Sequence, residues 1–182
     1  MVEQSKLKIL KGLAKPNRYF YSLLRDKIAL KPVKTESRWK REIPDLVDWD
    51  WEDIYCMSKK VTKDTKLQVF QFQLIHNYLV TNSKLVYYKI KESNLCTFCN
   101  NEKETVVHLL WECEKTQHIY KEYCEWLGQT CGLQISLRKS NVLLGIFPVV
   151  DNILENLILL YMKRYMYINR CKNNNIIECR RV

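Results

Sequence analysis

Glycine and proline are scarce, four of each in 182 residues. A chain built from short strands and frequent turns uses more of both, so an all-β fold is disfavoured. A long apolar run is also missing. The N-terminus, MVEQSKLKILKGLAKPNRYF, has no apolar core between its charges and does not read as a secretory signal. The most apolar stretch, Ile153 to Met162, carries Glu155 and stops at Lys163-Arg164. It falls well short of the roughly 20 apolar residues that cross a bilayer, so it reads as a buried helix and no membrane partner is expected. No Asp-Asp pair and no internal repeat occur. Without an export signal the expected setting is intracellular and reducing, where clustered cysteines bind metal more often than they form disulfides. Met1 reads either as a start or as an internal residue of a longer chain.

Positive charge is abundant instead. Thirty Lys and Arg face twenty Asp and Glu, a net of +10, which favours an anionic partner, nucleic acid first. With 47% hydrophobic residues the chain has enough apolar surface for a core. The charge comes in blocks. Residues 1–42 hold 12 basic groups against 4 acidic ones, whereas 43–55 hold five acids and no base. Residues 96–128 are acidic as well, with three bases and six acids. The first block reads as a loosely structured basic arm or connector, a solvated helix pair being the alternative. Residues 43–182 read as the folded domain.

Helical periodicity dominates that domain. Asp-rich residues around Trp49 and Trp51 suit a helix start, where acids meet the positive end of the dipole. A helix capped by Thr62 is expected to run to about Leu79, with Leu67, Phe70, Leu74 and Tyr78 on one face and Ile75 and Leu79 widening it. A short helix through Leu85 and Tyr88 follows. Another begins with Glu104 in its first turn and carries His108, and the next runs from about Glu114 to Leu127, ended by Gly128. Asp151 caps a closing helix to about Lys172. Residues 129–150 remain ambiguous. The expected fold is mainly α, with few or no strands.

Three of the eight cysteines fall in an 18-residue run with a histidine, CTFCNNEKETVVHLLWEC. Cys96, Cys99, His108 and Cys113 form C-x2-C-x8-H-x4-C, a spacing suited to tetrahedral zinc. A C-x2-C turn puts two thiolates on one side. On an ideal α-helix, however, His108 and Cys113 would stand about 140° apart, so the helix must end or loosen near Trp111. Buried core thiols and a redox C-x-x-C are the competing readings, the latter lacking its βαβ setting. A complete Cys3His set leaves no position for water, so one structural Zn2+ is expected, organising residues 95–126. His118 is a weaker candidate fourth ligand, and His76 reads as a core or rim histidine. Cys56, Cys124, Cys131, Cys171 and Cys179 lack paired spacing.

At these residues the chain resembles the zinc-binding C-terminal segment of non-LTR, LINE-type retrotransposon reverse transcriptases, encoded in the second open reading frame. The resemblance runs through WEDIYCMSKKVTKDTKLQVFQFQLIHNYLVTNSKL, through LCTFCNNEKETVVHLLWEC and into LLYMKRYMYINRC, about residues 36–172. It implies a non-catalytic module that handles RNA and target DNA beside an upstream polymerase domain of the same polyprotein. It also implies a cytoplasmic ribonucleoprotein and the nucleus as locations. The paired aspartates of a polymerase are absent, which fits a segment outside the catalytic part. A degenerate, inactive element copy would carry the same residues.

Two basic surfaces are candidates for nucleic-acid contact. Lys59, Lys60, Lys63 and Lys66 cluster before the helix bearing Phe70, where lysines oppose the dipole. On the closing helix a 100° projection puts Ile153, Leu157, Leu160, Tyr161, Ile168 and Cys171 on an apolar stripe. Lys163, Tyr167 and Arg170 fall on the opposite side with Asn156, and Arg164 falls inside the stripe and should snorkel. A solvated helix face is the alternative for this surface. The rival function is a zinc-stapled interaction scaffold that docks on the polymerase, which predicts an exposed apolar patch, for instance at Trp39, Trp49 and Trp51.

Overall fold

The computed structural model describes residues 34–44 and 50–171, with side chains to Arg170. Most of the expected basic arm therefore lies outside the described residues, as do Trp49 and Cys179. The chain divides into a unit of residues 1–38 and a larger one of 39–182. The described part of the arm is helical: α1 covers Lys34–Glu42. Seven α-helices are described in all, and the remaining six lie in the larger unit. They are α2 (Trp51–Val61), α3 (Thr65–Ile75), α4 (Asn82–Tyr87), α5 (Glu114–Cys131), α6 (Lys139–Leu144) and α7 (Ile153–Cys171). A π-helical turn, His108–Glu112, precedes α5, and a short 3-10 turn, Val150–Asn152, precedes α7. No strand occurs among the described residues, only an antiparallel bridge between Leu95 and Lys103. No described helix is long and apolar enough to cross a membrane.

Local chemistry explains the helix boundaries. Asp50 caps α2 by accepting a hydrogen bond from the Glu52 N–H, and Asp64 caps α3 in the same way through Lys66 N–H. Thr62 therefore ends α2 rather than starting α3, and Lys59 and Lys60 lie in the last turn of α2, where cations suit the dipole. The electrostatic cost expected of these two lysines is absent. Helix α3 stops at Ile75, and Asn77 reverses the chain in the left-handed region at φ 56°. Leu67, Phe70, Leu74, Ile75 and Leu79 are buried as expected, but Tyr78, beyond the reversal, is exposed. Helix α5 passes through Gly128 and ends at Gly132, whose φ of 68° supplies the left-handed stop.

Helices α2, α3 and α7 pack around the main core, which gathers Ile54, Leu67, Phe70, Leu74, Leu143, Leu144 and Leu160 with Leu109, Leu110, Cys96 and Cys113 from the metal segment. Trp39 is buried and donates through Nε1 to the Ile75 carbonyl at 2.8 Å. Trp51 is half-buried, so neither tryptophan forms the exposed patch expected of a scaffold. A smaller cluster of Tyr120, Val142, Leu159 and Met166 lies beside it, and Phe98 and Trp111 pack against both.

Helix α7 is rotated relative to its apolar projection. Ile153 and Tyr161, placed on the core stripe, are 44% and 51% exposed, whereas Asn156, Lys163 and Arg170 are buried. The reason is that each polar group has a specific partner. Asn156 accepts from Ile146 N–H at 2.7 Å and donates to its carbonyl at 2.8 Å, bracketing the turn after α6. That turn uses Gly145 at φ 121°, where a Cβ would stand 3.1 Å from Asn156 Oδ1 and from Met57 Cγ. Lys163 Nζ donates to Gln71 Oε1 at 2.8 Å and to the Leu143 carbonyl at 3.4 Å. Gln71 donates in turn to the Leu143 carbonyl at 3.0 Å. Tyr167 is half-buried with its hydroxyl bonded to the Val80 backbone. Lys163 and Arg170 are thus removed from the candidate nucleic-acid surface.

Both partners of Lys163 are neutral acceptors, and burial lowers its pKa to about 7. Between pH 7 and the ordinary lysine value of 10.5 the unfolded chain holds a proton that the folded protein lacks. Stability therefore rises with pH across that window, and the burial cost is fully present below it. Lys163→Met should remove this rise, so that the wild type gains about 1 kcal/mol of urea-unfolding free energy per pH unit relative to the variant between pH 7 and 10. Parallel pH profiles would show that Lys163 is charged in the fold.

Candidate metal centre

The metal segment begins as a small hairpin-like loop. Cys96 N–H donates to the Glu102 carbonyl at 2.7 Å and Glu104 N–H to the Asn94 carbonyl at 2.8 Å. Between these bonds the chain turns through Cys96-Thr97-Phe98-Cys99, closed by Asn100 N–H donating to the Cys96 carbonyl at 2.9 Å. Asn100 takes φ 54°, a left-handed position that asparagine tolerates better than most residues. The turn aims the Phe98 and Cys99 backbone N–H groups at the Cys96 sulfur.

The second pair of ligands comes from the other side of Glu104. Thr105 Oγ1 accepts from His108 N–H at 2.9 Å and starts a helical turn at Val106. Glu104 itself lies just outside the helix. The turn widens at once, with Cys113 N–H donating to the His108 carbonyl at 2.8 Å. A bond spanning five residues instead of four brings positions 108 and 113 nearly into line, which answers the 140° conflict of an ideal helix. Cys113 then sits at the N-terminus of α5, where the Lys115 and Thr116 N–H groups point at its sulfur.

The four ligand atoms of Cys96, Cys99, His108 and Cys113 lie within 4.8 Å of one another. Cys99 Sγ stands 3.4 Å from His108 Nε2, and Cys96 Sγ stands 3.9 Å from Cys113 Sγ. Tetrahedral zinc with bonds of about 2.3 Å to sulfur and about 2.0 Å to nitrogen sets edges of about 3.5–3.8 Å, so the donors fit the ion. The sulfurs are free thiols, far beyond disulfide length. Cys96, His108 and Cys113 are buried and Cys99 is half-buried. The Cys96 thiol donates to Cys113, which with the α5 N–H groups holds the Cys113 thiol well below its ordinary value. That same bond, and then burial, push Cys96 up. A divalent cation resolves this conflict by letting both sulfurs ionise.

Glu104 ties the site to the fold and was not singled out by spacing. Its carboxylate is fully buried. It accepts from Asn82 N–H at 2.7 Å, from Thr97 N–H at 2.8 Å, from Thr97 Oγ1 at 2.7 Å and from Asn82 Nδ2 at 3.2 Å. Arg170 Nε lies 3.4 Å away, and Arg170 also donates to the Val80 carbonyl. One side chain thereby joins the cysteine turn, the start of α4 and the end of α7. A glutamate between two ligand pairs was the only sequence signal for it.

Other candidates fall elsewhere. His118 is exposed and lies 3.5 Å from Glu122, outside the ligand cluster. His76 is half-buried, stacked on Tyr55 and Tyr78. Cys56 and Cys124 are half-buried and Cys131 is exposed, none near the four ligands. Lys59, Lys60, Lys63 and Lys66 are all exposed, with Lys60 paired to Asp53. Arg164 is half-exposed, as its snorkelling requires.

Replacing Glu104 should leave the Arg170 charge buried without a partner. Glu104→Gln is expected to cost about 3 kcal/mol in chemical denaturation of the metal-loaded protein, and adding Arg170→Met should recover part of that loss. A cost under about 1 kcal/mol would mean that the ion pair does not organise the site.

No curated protein and no solved structure matches this chain. A family model does, over residues 19–120, a span that contains all four ligands and more than half the chain; its description is zinc-binding in reverse transcriptase. A closed Cys3His centre, with its π turn and buried glutamate, is thus the core of a chain that belongs to the zinc-binding family of reverse transcriptases.

Proposed function

We propose that this chain is the C-terminal nucleic-acid-binding module of a LINE-type reverse transcriptase, held in shape by one structural Zn2+. Cys96, Cys99, His108 and Cys113 supply the four ligands. The convergence of four protein donors within 4.8 Å carries the reading, because it leaves no position for a reactive water. The ion's contribution is to fold the segment, and the chain's own residues do the rest. Backbone amides steady the sulfurs, Thr105 sets the helical turn that presents His108, and Glu104 locks the turn to α4 and α7. Exposed lysines and Arg164 hold RNA or target DNA through phosphates, beside an upstream polymerase domain and without polymerase or nuclease residues in this chain. The setting is the element's cytoplasmic ribonucleoprotein and the nucleus.

One observation favours the scaffold reading as a second choice. Leu154, Tyr161 and Tyr165 are 54%, 51% and 41% exposed on one side of α7, a surface on which a polymerase could pack.

Metal analysis of the purified chain should give about one zinc per molecule, and Cys96→Ser or His108→Asn should lower it below half. Zinc content unchanged by both substitutions would overturn the assignment. Binding to RNA and DNA oligonucleotides should weaken linearly on a plot of log K against log salt. A flat plot would sink the phosphate contacts and favour the scaffold.

A further inference from the structure

A groove of about 370 Å3 runs between α3 and α7, lined by Thr65, Lys66, Val69 and Gln73 on one side and by Arg164 and Ile168 on the other. Its volume suits one small ligand. Two cations from different helices, Lys66 and Arg164, stand on it, and among the described residues neither side chain has an ion pair or a hydrogen bond. The surroundings explain why. Helix α3 contains no acidic residue, and α7 contains only Glu155, more than two turns before Arg164. Asp64 is the nearest acid in sequence, and its carboxylate is committed to the Lys66 backbone N–H.

Between the cations the wall is apolar. Val69 is 54% exposed, and Phe70 and Ile168 continue the surface inward. Tyr167 is fixed as a wall rather than left as a free ring: its hydroxyl is bonded to Val80, Phe70 packs 5.7 Å from its centre and the Arg170 guanidinium stands 5.2 Å from it. The Thr65 hydroxyl and the Gln73 amide have no protein partner among the described residues. The groove therefore offers two uncompensated charges, an apolar bed and two free polar groups. This chemistry matches an anionic ligand with a flat apolar face and a polar edge.

We infer that the groove between α3 and α7 holds one unpaired nucleotide of a single-stranded RNA or DNA, its flanking phosphates on Lys66 and Arg164 and its base against Val69 and Ile168. The inference rests on the nucleic-acid reading above and narrows it to a site and to a strand state. A duplex keeps its bases stacked and paired, so it could meet the two cations but not fill the bed. Selectivity for unpaired strands is the consequence, arising from shape rather than from base sequence. Thr65 and Gln73 reach only the edge of the base and set a mild preference at most.

The test uses the full zinc-loaded chain and fluorescence anisotropy with a labelled 20-nucleotide single strand and the matching duplex. Wild type should bind the single strand about tenfold more tightly than the duplex at low salt. Lys66→Gln with Arg164→Gln should reduce single-strand affinity about tenfold and make the salt slope shallower by about 1.4, roughly 0.7 for each phosphate no longer neutralised. Val69→Asn, which adds no charge beside Lys66, should abolish the preference for the single strand while leaving duplex binding within about twofold. Arg164→Lys should retain most of the affinity. Unchanged zinc content and melting temperature in each variant separate these effects from misfolding. Single-strand binding that survives both Val69→Asn and the double substitution would overturn the groove site yet leave the broader reading intact. Failure of wild type to bind either oligonucleotide would overturn both. Loss of binding to the upstream polymerase segment in these variants, with oligonucleotide binding unaffected, would assign the groove to a protein partner instead.

Discussion

Zinc coordination asks four atoms to meet at one point, and here they come from a tight turn and from the two ends of a five-residue helical segment. The turn alone places only Cys96 and Cys99. A regular α-helix would send His108 and Cys113 to different faces. The π turn is therefore the constraint on which the rest depends: it brings the second pair into line and ends at once, so that Cys113 becomes the first residue before α5. Ending there also gives the Cys113 sulfur the N–H groups of a helix start, a favourable place for negative charge. The neighbouring Leu109 and Leu110 are fully buried, so the same turn that serves the metal delivers the segment's apolar residues to the main core.

Holding the two ligand pairs at a fixed distance is a separate problem, and Glu104 solves it. A buried carboxylate is costly unless its oxygens are matched, and its two oxygens take hydrogen bonds from Asn82 and Thr97 and the charge of Arg170. Because the partners belong to α4, the cysteine turn and α7, the metal loop cannot shift without breaking contacts in all three. The centre is coupled to the fold through polar groups as much as through the core that Phe98 and Trp111 join.

The ligand set was legible in the sequence because all four residues fall within 18 positions and their spacing encodes their geometry. The need for a break near Trp111 was legible for the same reason. Helix caps were legible in type but not in position: the sequence pattern puts the cap of the helix bearing Phe70 at Thr62, which ends α2, whereas Asp64 caps α3. The orientation of α7 was not legible. A hydrophobic projection treats Asn156, Lys163 and Arg170 as surface, and it fails because their partners, Ile146, Gln71 and Glu104, lie 10, 92 and 66 positions away in sequence. No window along one helix contains that information. Glu104 was hidden by the same distance effect.

This rotation changes how the net charge should be understood. Of the cations on α7 within the described residues, Lys163 and Arg170 are consumed by the interior, and elsewhere Lys60 and Lys139 face acids. Turning the polar face inward necessarily turns part of the apolar face outward, which is why Leu154, Tyr161 and Tyr165 are exposed. It also leaves Arg164, the one cation that the projection assigned to the core stripe, beside Lys66 at the edge of an apolar groove. The basic character that the composition advertises is therefore not a uniform coat. At Lys66 and Arg164 a charge and an uncovered apolar surface occur together, and that combination suits a ligand that is itself both anionic and flat.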